Sequence, residues 1–255
     1  MNFHALLRVD SSKRRAERHL ALERELSSML DLVLNNRNFL LDKRLFRPDP
    51  SRPAICVYVG SDFGFCGAFN HRVEQEMLAD AESMKIVVGR KLSLAGVENV
   101  VFQCESAAYE DELDRIHDIL VGAIAHGECS AIDLVYNRYE DAATIELVRQ
   151  NVFPLDHARH ASDRMDPARF SDDYVVEGDI NRILIDLAVS YLDYELRIAQ
   201  DSSYASENIM RQDVTARSLD KIDEIEAERA QRERKERRRR EFVKVFSTYT
   251  SVGGK

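Results

Sequence analysis

The chain has 255 residues, 44% of them hydrophobic and 32% charged, and a formal net charge of -9. This composition is typical of a folded soluble protein with one domain and a charged extension. Residues 20–34 are too often interrupted by charge to span a bilayer, and the first residues lack the apolar core and cleavage site of a signal peptide. We therefore expect neither a membrane-spanning nor a secreted protein, but a cytoplasmic one.

The cysteines and histidines show no strong disulfide or metal-binding pattern. The cysteines are widely spaced without a Cys-x-x-Cys pair, so we expect reduced, mostly buried thiols at Cys56, Cys66, Cys104 and Cys129. A weak group of metal-ligand types falls in a polar connector, where solvated side chains are the expected state: Asp156, His157, His160 and Asp163. The sequence therefore predicts neither a metal nor a cofactor.

The N-terminal segment, residues 1–47, predicts a helix. Between residues 13 and 34, leucine, methionine and valine recur at intervals of three and four, which indicates an amphipathic helix that runs toward Leu45. Three prolines then break the pattern before the first strand: Pro48, Pro50 and Pro53.

Short apolar runs separated by helical patterns predict a three-layer, Rossmann-like α/β domain over residues 54–156. Strands are expected at 54–60, 84–89, 97–104 and 131–136, with helices at 71–83 and 110–125. The alternation of strand and helix indicates parallel crossovers. A fifth strand, at 144–153, has polar interruptions that favour an edge or antiparallel position.

Residues 179–255 follow a polar connector at 157–178 and predict one long helix. They contain no proline and no glycine before Gly253, and a break is expected near Ser202 and Ser203. The apolar stripe ends at Ile225, and residues 226–241 carry eight basic and five acidic side chains. Three pairs at i,i+4 spacing are expected to support a solvated helix there: Glu228–Arg232, Glu233–Arg237 and Glu236–Arg240.

The loop after the first strand, residues 61–70, reads Ser-Asp-Phe-Gly-Phe-Cys-Gly-Ala-Phe-Asn. Such a junction can cradle a phosphate on free N–H groups, but it has neither the G-x-G-x-x-G spacing nor the Gly-Lys-Ser/Thr of nucleotide loops. A nucleophilic role for Cys66 would need a base, for which His71 is a weak candidate. We interpret this motif loop as a structural element rather than a catalytic or ligand site.

The order of N-terminal helix, α/β domain and long C-terminal helix resembles the gamma subunit of F-type rotary ATP synthases. That family's motif reads Ser/Thr-Asp-Arg-Gly-Leu-Cys-Gly-Gly-x-Asn, and this chain matches it at Ser61, Asp62, Gly64, Cys66, Gly67 and Asn70. Phe63 replaces the arginine, and Ala68 replaces a glycine. Residues 151–155 and 204–208 are similar to further family segments, so the resemblance extends over much of the chain.

The resemblance implies that the two terminal helices pair as an antiparallel coiled coil, a shaft that turns inside a ring of alpha and beta subunits. It implies a non-catalytic central stalk that couples proton or sodium translocation to ATP synthesis or hydrolysis, beside an epsilon-type subunit and the membrane c-ring. It places the protein at the inner face of the plasma membrane through the complex alone. Candidate partner contacts are Glu207, Arg211, Arg237, Arg238, Arg239 and Arg240.

Two departures from the family pattern concern the shaft. Counted back from the motif loop, the chain begins late, so the basic N-terminal segment of the family's shaft tip is expected to be missing. Residues 226–241 are charged where the family keeps apolar positions, as expected of a helix without a partner. From residue 226 the C-terminal helix is therefore predicted to be single, or to lie on another protein.

Other hypotheses remain open at this point. The protein could be a gamma-derived adaptor or regulatory protein that no longer turns a rotor, or an enzyme that uses the α/β domain. The arginine run could bind nucleic acid, but it lacks interleaved aromatic residues and contains glutamates that repel phosphate. A protein partner is therefore favoured over direct binding of nucleic acid.

Overall fold

A computed structural model describes residues 2–35, 47–139, 144–155 and 177–252. The chain divides into two compact units, Met1–Arg211 and Gln212–Lys255. The predicted metal group at residues 156–163 and almost all of the predicted connector lie outside the described residues. None of the described helices combines the length and the apolar character that a membrane span requires.

The regular elements follow the predicted order of helix, α/β domain and long helix. The helices are α1 (Asn2–Asn35), α2 (Phe69–Ala79), α3 (Tyr109–His126) and α4 (Ile180–Val252). The strands are β1 (Ile55–Val59), β2 (Met84–Val88), β3 (Val100–Cys104), β4 (Ile132–Tyr139) and β5 (Ile145–Phe153). All five strands therefore form close to the predicted positions, although β3 begins later and β4 ends later than expected.

The strands form one sheet in the order β3-β2-β1-β4-β5. The first four are parallel, and β5 pairs antiparallel with β4 at the edge, which confirms the prediction for the fifth strand. From β1 the chain first builds the sheet toward β3 and then returns to place β4 on the other side of β1. The topological switch point, where doubly wound sheets usually bind ligands, therefore lies between the carboxyl ends of β1 and β4.

Alternating side chains of β1 divide the core into two layers. Ile55, Val57 and Val59 belong to the larger core cluster, which includes apolar residues of α1, α3 and α4. Cys56 and Tyr58 point to the opposite face and share a second cluster with α2. Both faces of the sheet are thus covered by helices, as the nearly continuous burial of β1 and β2 requires.

Arg149 fastens the edge strand β5 to the α2 face of the sheet. Its Nε donates to Asp133 at 2.9 Å, and its Nη2 donates to Asp80, just past the end of α2, at 3.0 Å. Burial alone would raise the pKa of Asp80, but hydrogen bonds from Ser83, Tyr58 and Arg149 hold that pKa well below its usual range. The outer strand is therefore held by charge as well as by its backbone ladder.

Helix α1 packs against the middle of α4 within the first unit, which confirms the predicted pairing of the terminal helices. Asp201 lies 3.1 Å from the Arg15 guanidinium and 3.2 Å from the His19 ring nitrogen Nδ1. Leu30 and Leu184 are fully buried in the same core cluster. Apolar burial and a charged contact thus act together along this helix pair.

One prediction about α4 is wrong, and another is confirmed for two of three ion pairs. The helix does not break near Ser202 and Ser203, because both serines are buried and the Ser202 hydroxyl accepts a hydrogen bond from the sheet instead of disturbing the helix. Of the predicted ion pairs, Glu228–Arg232 and Glu236–Arg240 form, at 3.3 and 3.7 Å. Arg237 pairs toward the C-terminus with Glu241, at 3.4 Å, rather than with Glu233.

The second unit consists of the distal part of α4. Every described side chain from residue 216 to residue 243 is exposed, including Leu219, Ile222 and Ile225. Within the described residues, this part of the helix is supported by i,i+4 ion pairs, each worth only about 0.2–0.5 kcal/mol.

We predict that removal of residues 226–255 leaves the first unit folded, because the deleted side chains that the structure describes bury no apolar surface in it. The free energy of unfolding should change by less than about 0.5 kcal/mol, as for ordinary surface changes. Urea denaturation followed by tyrosine fluorescence measures this directly. Loss of a cooperative transition would show that the distal helix is needed for the fold.

Candidate functional site at the carboxyl edge of the sheet

The Asp62 carboxylate joins the loops that follow three parallel strands. Its Oδ1 accepts hydrogen bonds from the backbone N–H of Arg90 at 2.9 Å and of Ser106 at 2.8 Å, and its Oδ2 accepts one from Ala107 N–H at 2.8 Å. The side chain is only 4% exposed. Because an ionised carboxylate accepts stronger bonds than a neutral group, this contact fixes the loops after β1, β2 and β3 relative to one another.

The remaining polar residues of the motif loop bond mainly within the loop. The Asn70 side chain accepts from Ser61 N–H at 3.0 Å and donates to Ser61 Oγ at 2.9 Å, which ties the first turn of α2 back to the end of β1. The Cys66 thiol lies 3.6 Å from Phe63 O and accepts from Asn70 at 3.6 Å. His71 is exposed and is not among these partners. The loop geometry thus supports the structural interpretation of Cys66.

Glycines inside and outside the motif make this edge compact. Gly67 has a φ of 60°, in the left-handed region that favours glycine. Gly89, at the end of β2, has a φ of 113°, and a Cβ there would come within 2.7 Å of the Gly60 carbonyl carbon. Sequence analysis did not identify Gly60 and Gly89. A glycine at the end of a strand does not indicate in the sequence which other backbone segment lies close to it.

Helix α4 crosses the carboxyl end of β4, where sequence reasoning predicted no site. Ser202 Oγ accepts from Tyr139 N–H at 2.9 Å, and Ser206 Oγ donates to Asn137 O at 2.9 Å. Asn137 in turn donates to Phe69 O at the start of α2 at 3.4 Å. These bonds fill one side of the topological switch point with buried helix, the place where a doubly wound enzyme would bind its ligand.

Arg211 brings α4 to the motif loop on the other side of the switch point. Its guanidinium lies 3.5 Å from Gly64 O and forms a close ion pair with Glu207 one turn earlier. Burial raises the pKa of Glu207, and the charge of Arg211 acts in the opposite direction. Two of the residues predicted as partner contacts, Glu207 and Arg211, therefore have an intramolecular role, and Arg211 contacts the motif loop.

Phe63, which stands where the family has arginine, lies close to two arginines from other segments. The guanidinium carbons of Arg90 and Arg211 each lie 5.9 Å from the centre of its ring, within cation–π range. Phe63 is 59% exposed, and Phe65 beside it is 83% exposed with a φ of 61°, an unusual backbone conformation for a bulky residue. Positive charge therefore remains at the loop, although it comes from outside the motif.

The other thiols are poor nucleophiles, although Cys104 is only partly buried. Desolvation raises the pKa of Cys56 to about 12 and the pKa of both Cys104 and Cys129 to about 11, so all three remain protonated at neutral pH. Within the described residues, no three histidine, cysteine or carboxylate side chains are grouped closely enough to hold a metal ion.

The other predicted contacts lie in the second unit. Arg237, Arg238, Arg239 and Arg240 are exposed. Arg237 and Arg240 form intrahelical ion pairs, whereas Arg238 and Arg239 form no ion pair with any side chain that the structure describes. Two guanidinium groups on this helix are thus available to a partner.

The fold defines a class of protein in which a doubly wound α/β domain is joined to a long helix that contacts the carboxyl edge of its sheet. The family model described as ATP synthase matches residues 1–240, and the chain belongs to this family. The family recognised from the motif loop, that of the gamma-type central-stalk subunit, is thereby confirmed.

Several gamma chains of ATP synthase are similar in sequence. That of Phocaeicola vulgatus is 23% identical over 228 residues, which cover 83% of this chain and 77% of the relative. Those of Albidiferax ferrireducens and Rickettsia bellii are 27% and 21% identical over 61% and 71% of this chain. The matches span 58% and 67% of the lengths of those two relatives.

Two solved structures share the fold. A chain of the Euglena gracilis mitochondrial ATP synthase, from a structure described as OSCP/F1/c-ring, superposes with a TM-score of 0.52 at 13% identity and covers 98% of this chain and 93% of that one. A chain of the Tetrahymena thermophila mitochondrial central stalk and c-ring gives 0.51 at 16% identity, over 82% of this chain and 99% of that one. The similarity therefore includes the long helix as well as the α/β domain.

We predict that Asp62→Asn lowers the free energy of unfolding by about 2–3 kcal/mol. The amide nitrogen of asparagine is itself a donor, and it would replace an oxygen that now accepts hydrogen bonds from backbone N–H groups. Urea denaturation measures the loss. Asp49→Asn is the matched control, since Asp49 accepts from Ser51 in an exposed turn and should matter less. Equal effects of the two substitutions would contradict a central role for Asp62.

We predict that Arg211→Gln destabilises the fold by about 1–3 kcal/mol, since it leaves the buried Glu207 carboxylate without its partner. The pKa of Glu207 should then rise further. A carboxyl whose folded pKa exceeds its unfolded value destabilises the fold above the folded pKa, and this effect disappears below the unfolded pKa.

Unfolding by urea at pH 8 and pH 5 tests the direction of this change, and the loss should be smaller at pH 5. Arg217→Gln is the control because Arg217 forms an i,i+4 pair with Asp213 that is exposed. This control should lower the free energy of unfolding by about 0.3–0.5 kcal/mol, and the loss should depend little on pH. A larger loss at pH 5 than at pH 8 for Arg211→Gln would rule out this account of Glu207.

Proposed function

We propose that this protein is the non-catalytic gamma-type central stalk of an F-type ATP synthase, which couples ion translocation to ATP synthesis or hydrolysis by rotating within a ring of alpha and beta subunits. The observation that carries the proposal is the occupied switch point. Ser202 and Ser206 of α4 fill one side of it, and Arg211 reaches the loop on the other side. The sheet therefore serves to hold a helix, and the ligand site of an enzyme with this topology is taken up by the chain itself.

The charges and aromatic rings of the described residues supply two candidate contact surfaces for the complex. The first is the motif-loop surface, formed by Phe63, Phe65, Arg90 and Arg211, where exposed rings lie beside guanidinium groups. The second is the arginine run at 237–240. Both favour acidic segments of protein partners, for which we propose alpha and beta subunits, an epsilon-type subunit and the c-ring.

The location follows from these partners. No described helix can cross a membrane, and we propose that the protein reaches the inner face of the plasma membrane only through the complex. We propose no direct nucleic-acid contact, because glutamates are interspersed among the arginines of residues 226–241. The protein would hold no cofactor or metal of its own.

A gamma-derived adaptor that no longer turns a rotor is the second candidate function. It is favoured by Phe63, since a ring close to Arg90 and Arg211 presents a different surface from the family's single arginine. Such a change of surface would suit a different partner. The two candidates differ in stoichiometry: a rotor is present once in each complex, whereas an adaptor need not be.

We predict that the tagged protein, purified from its host in mild detergent, brings down alpha, beta and epsilon-type subunits in a fixed ratio together with ATPase activity. Quantitative mass spectrometry measures the ratio. Substoichiometric recovery with the same subunits would support the adaptor instead. Recovery of the protein without any ATPase subunit would contradict both candidates.

Glutamine substitutions in this experiment separate the candidate contacts. Replacement of Arg238 and Arg239, which form no described ion pair, should reduce recovery of the subunits, because a partner would lose two charged contacts. Arg217→Gln is the matched control on the same helix. If the double variant recovers as much of the ATPase subunits as the wild type, the arginine run does not contact them.

A further inference from the structure

Helix α4 makes several lateral contacts with the α/β domain, and three of them border the switch point at the carboxyl edge of the sheet. Ser202 Oγ accepts from Tyr139 N–H, and Ser206 Oγ donates to Asn137 O, both at 2.9 Å. The Arg211 guanidinium lies 3.5 Å from Gly64 O. The three contacts involve β4 and the loop after β1, the two segments that border the switch point.

These contacts lie on opposite sides of the helix. Each residue turns an α-helix by about 100°, so Ser202 and Ser206 are about 40° apart, and Ser202 and Arg211 are about 180° apart. A contact on one side alone would let the helix roll about its own axis over the sheet. Contacts on two opposite sides oppose rolling in either direction.

The serines of α4 are used in two different ways. The half-buried Ser190 and the exposed Ser218 donate to the carbonyl oxygens of Asp186 and Val214 four residues earlier, the ordinary bond of a helical serine. Ser202 and Ser206 are buried and bond to the sheet. The Ser206 bond is buried and the Ser202 bond is partly buried, so water competes less for them, and they fix orientation more firmly than exposed bonds would.

The position of this attachment along α4 suggests what it does. Arg211 is the last residue of the first unit, and the described side chains from residue 216 to residue 243 are exposed. A twist applied to the distal helix therefore reaches the α/β domain at Ser202–Arg211 before any other part of the sheet. If the helix rolled on the sheet at this point, part of the applied twist would not reach the α/β domain.

We propose that Ser202, Ser206 and Arg211 are positioning residues that prevent α4 from rolling on the sheet, so that torque passes between the helix and the α/β domain. The inference rests on the proposed function of a rotor, because only a rotor needs such stiffness. It assigns to the buried serines a mechanical role in addition to their contribution to folding.

The isolated protein tests the stiffness without any partner. The α/β domain is fixed to a surface through bio-orthogonal amino acids at two exposed positions, Leu78 on α2 and Asp114 on α3. A magnetic bead on the C-terminal end of α4 then reports thermal rotation. For the double variant S202A/S206A, the angular variance should rise above that of the wild type, because the helix would lose both bonds to β4 at the switch point.

Matched serine variants separate stiffness from general loss of structure. The double variant S190A/S218A removes two helical hydroxyls without any contact to the sheet and should keep the wild-type variance. Ser206→Thr keeps the bonding hydroxyl and should also keep it. If S202A/S206A fails to fold, the single variants S202A and S206A are measured instead. An unchanged variance in the alanine variants, or an equal rise for Ser206→Thr and Ser206→Ala, would overturn the proposal.

The purified complex provides the functional readout. In vesicles, proton or sodium uptake per ATP hydrolysed should fall several-fold for S202A/S206A, whereas S190A/S218A should match the wild type. An unchanged ratio would overturn the role in torque. Failure of the wild-type protein to assemble would instead contradict the proposed function, and the bead measurement would still decide whether the contacts stiffen the helix.

Discussion

The hydrogen bonds to the Asp62 carboxylate are the interaction on which the rest of the first unit depends. One buried side chain accepts three backbone N–H groups from the loops after β2 and β3, while its own backbone continues from β1. Parallel strands leave their carboxyl ends close together but unconnected, and an ionised acceptor among them fixes the loops without a ligand. The motif loop is consequently rigid enough to receive the Arg211 side chain from α4.

The filled switch point explains why a doubly wound sheet can serve in a rotor. In an enzyme of this topology, the crevice between β1 and β4 is open and binds a cofactor. Here the same backbone groups bond to helix α4: Tyr139 N–H to Ser202 and Asn137 O to Ser206. The geometry that would otherwise present donors and acceptors to a substrate instead orients a helix.

The sequence predicted the elements well because their signals are local. Short apolar runs, helical periodicity and the Ser61–Asn70 motif identified the strands, the helices and the family. The predicted break at Ser202–Ser203 was wrong because a helical serine can bond either to its own helix or to a distant strand, and only the fold decides which. The two arginines around Phe63 were missed for the same reason, since Arg90 and Arg211 are far apart in the chain.

The two parts of α4 illustrate how one secondary structure meets two different physical demands. In the first unit, Leu184, Leu192 and Leu196 bury apolar surface, and the helix is stabilised mainly by tertiary packing. Over residues 216–243 the described side chains are exposed, and i,i+4 pairs such as Glu228–Arg232 take over that role. Such exposed pairs weaken at high salt, whereas apolar burial does not, so the stability of the distal helix depends more strongly on ionic strength than that of the packed part.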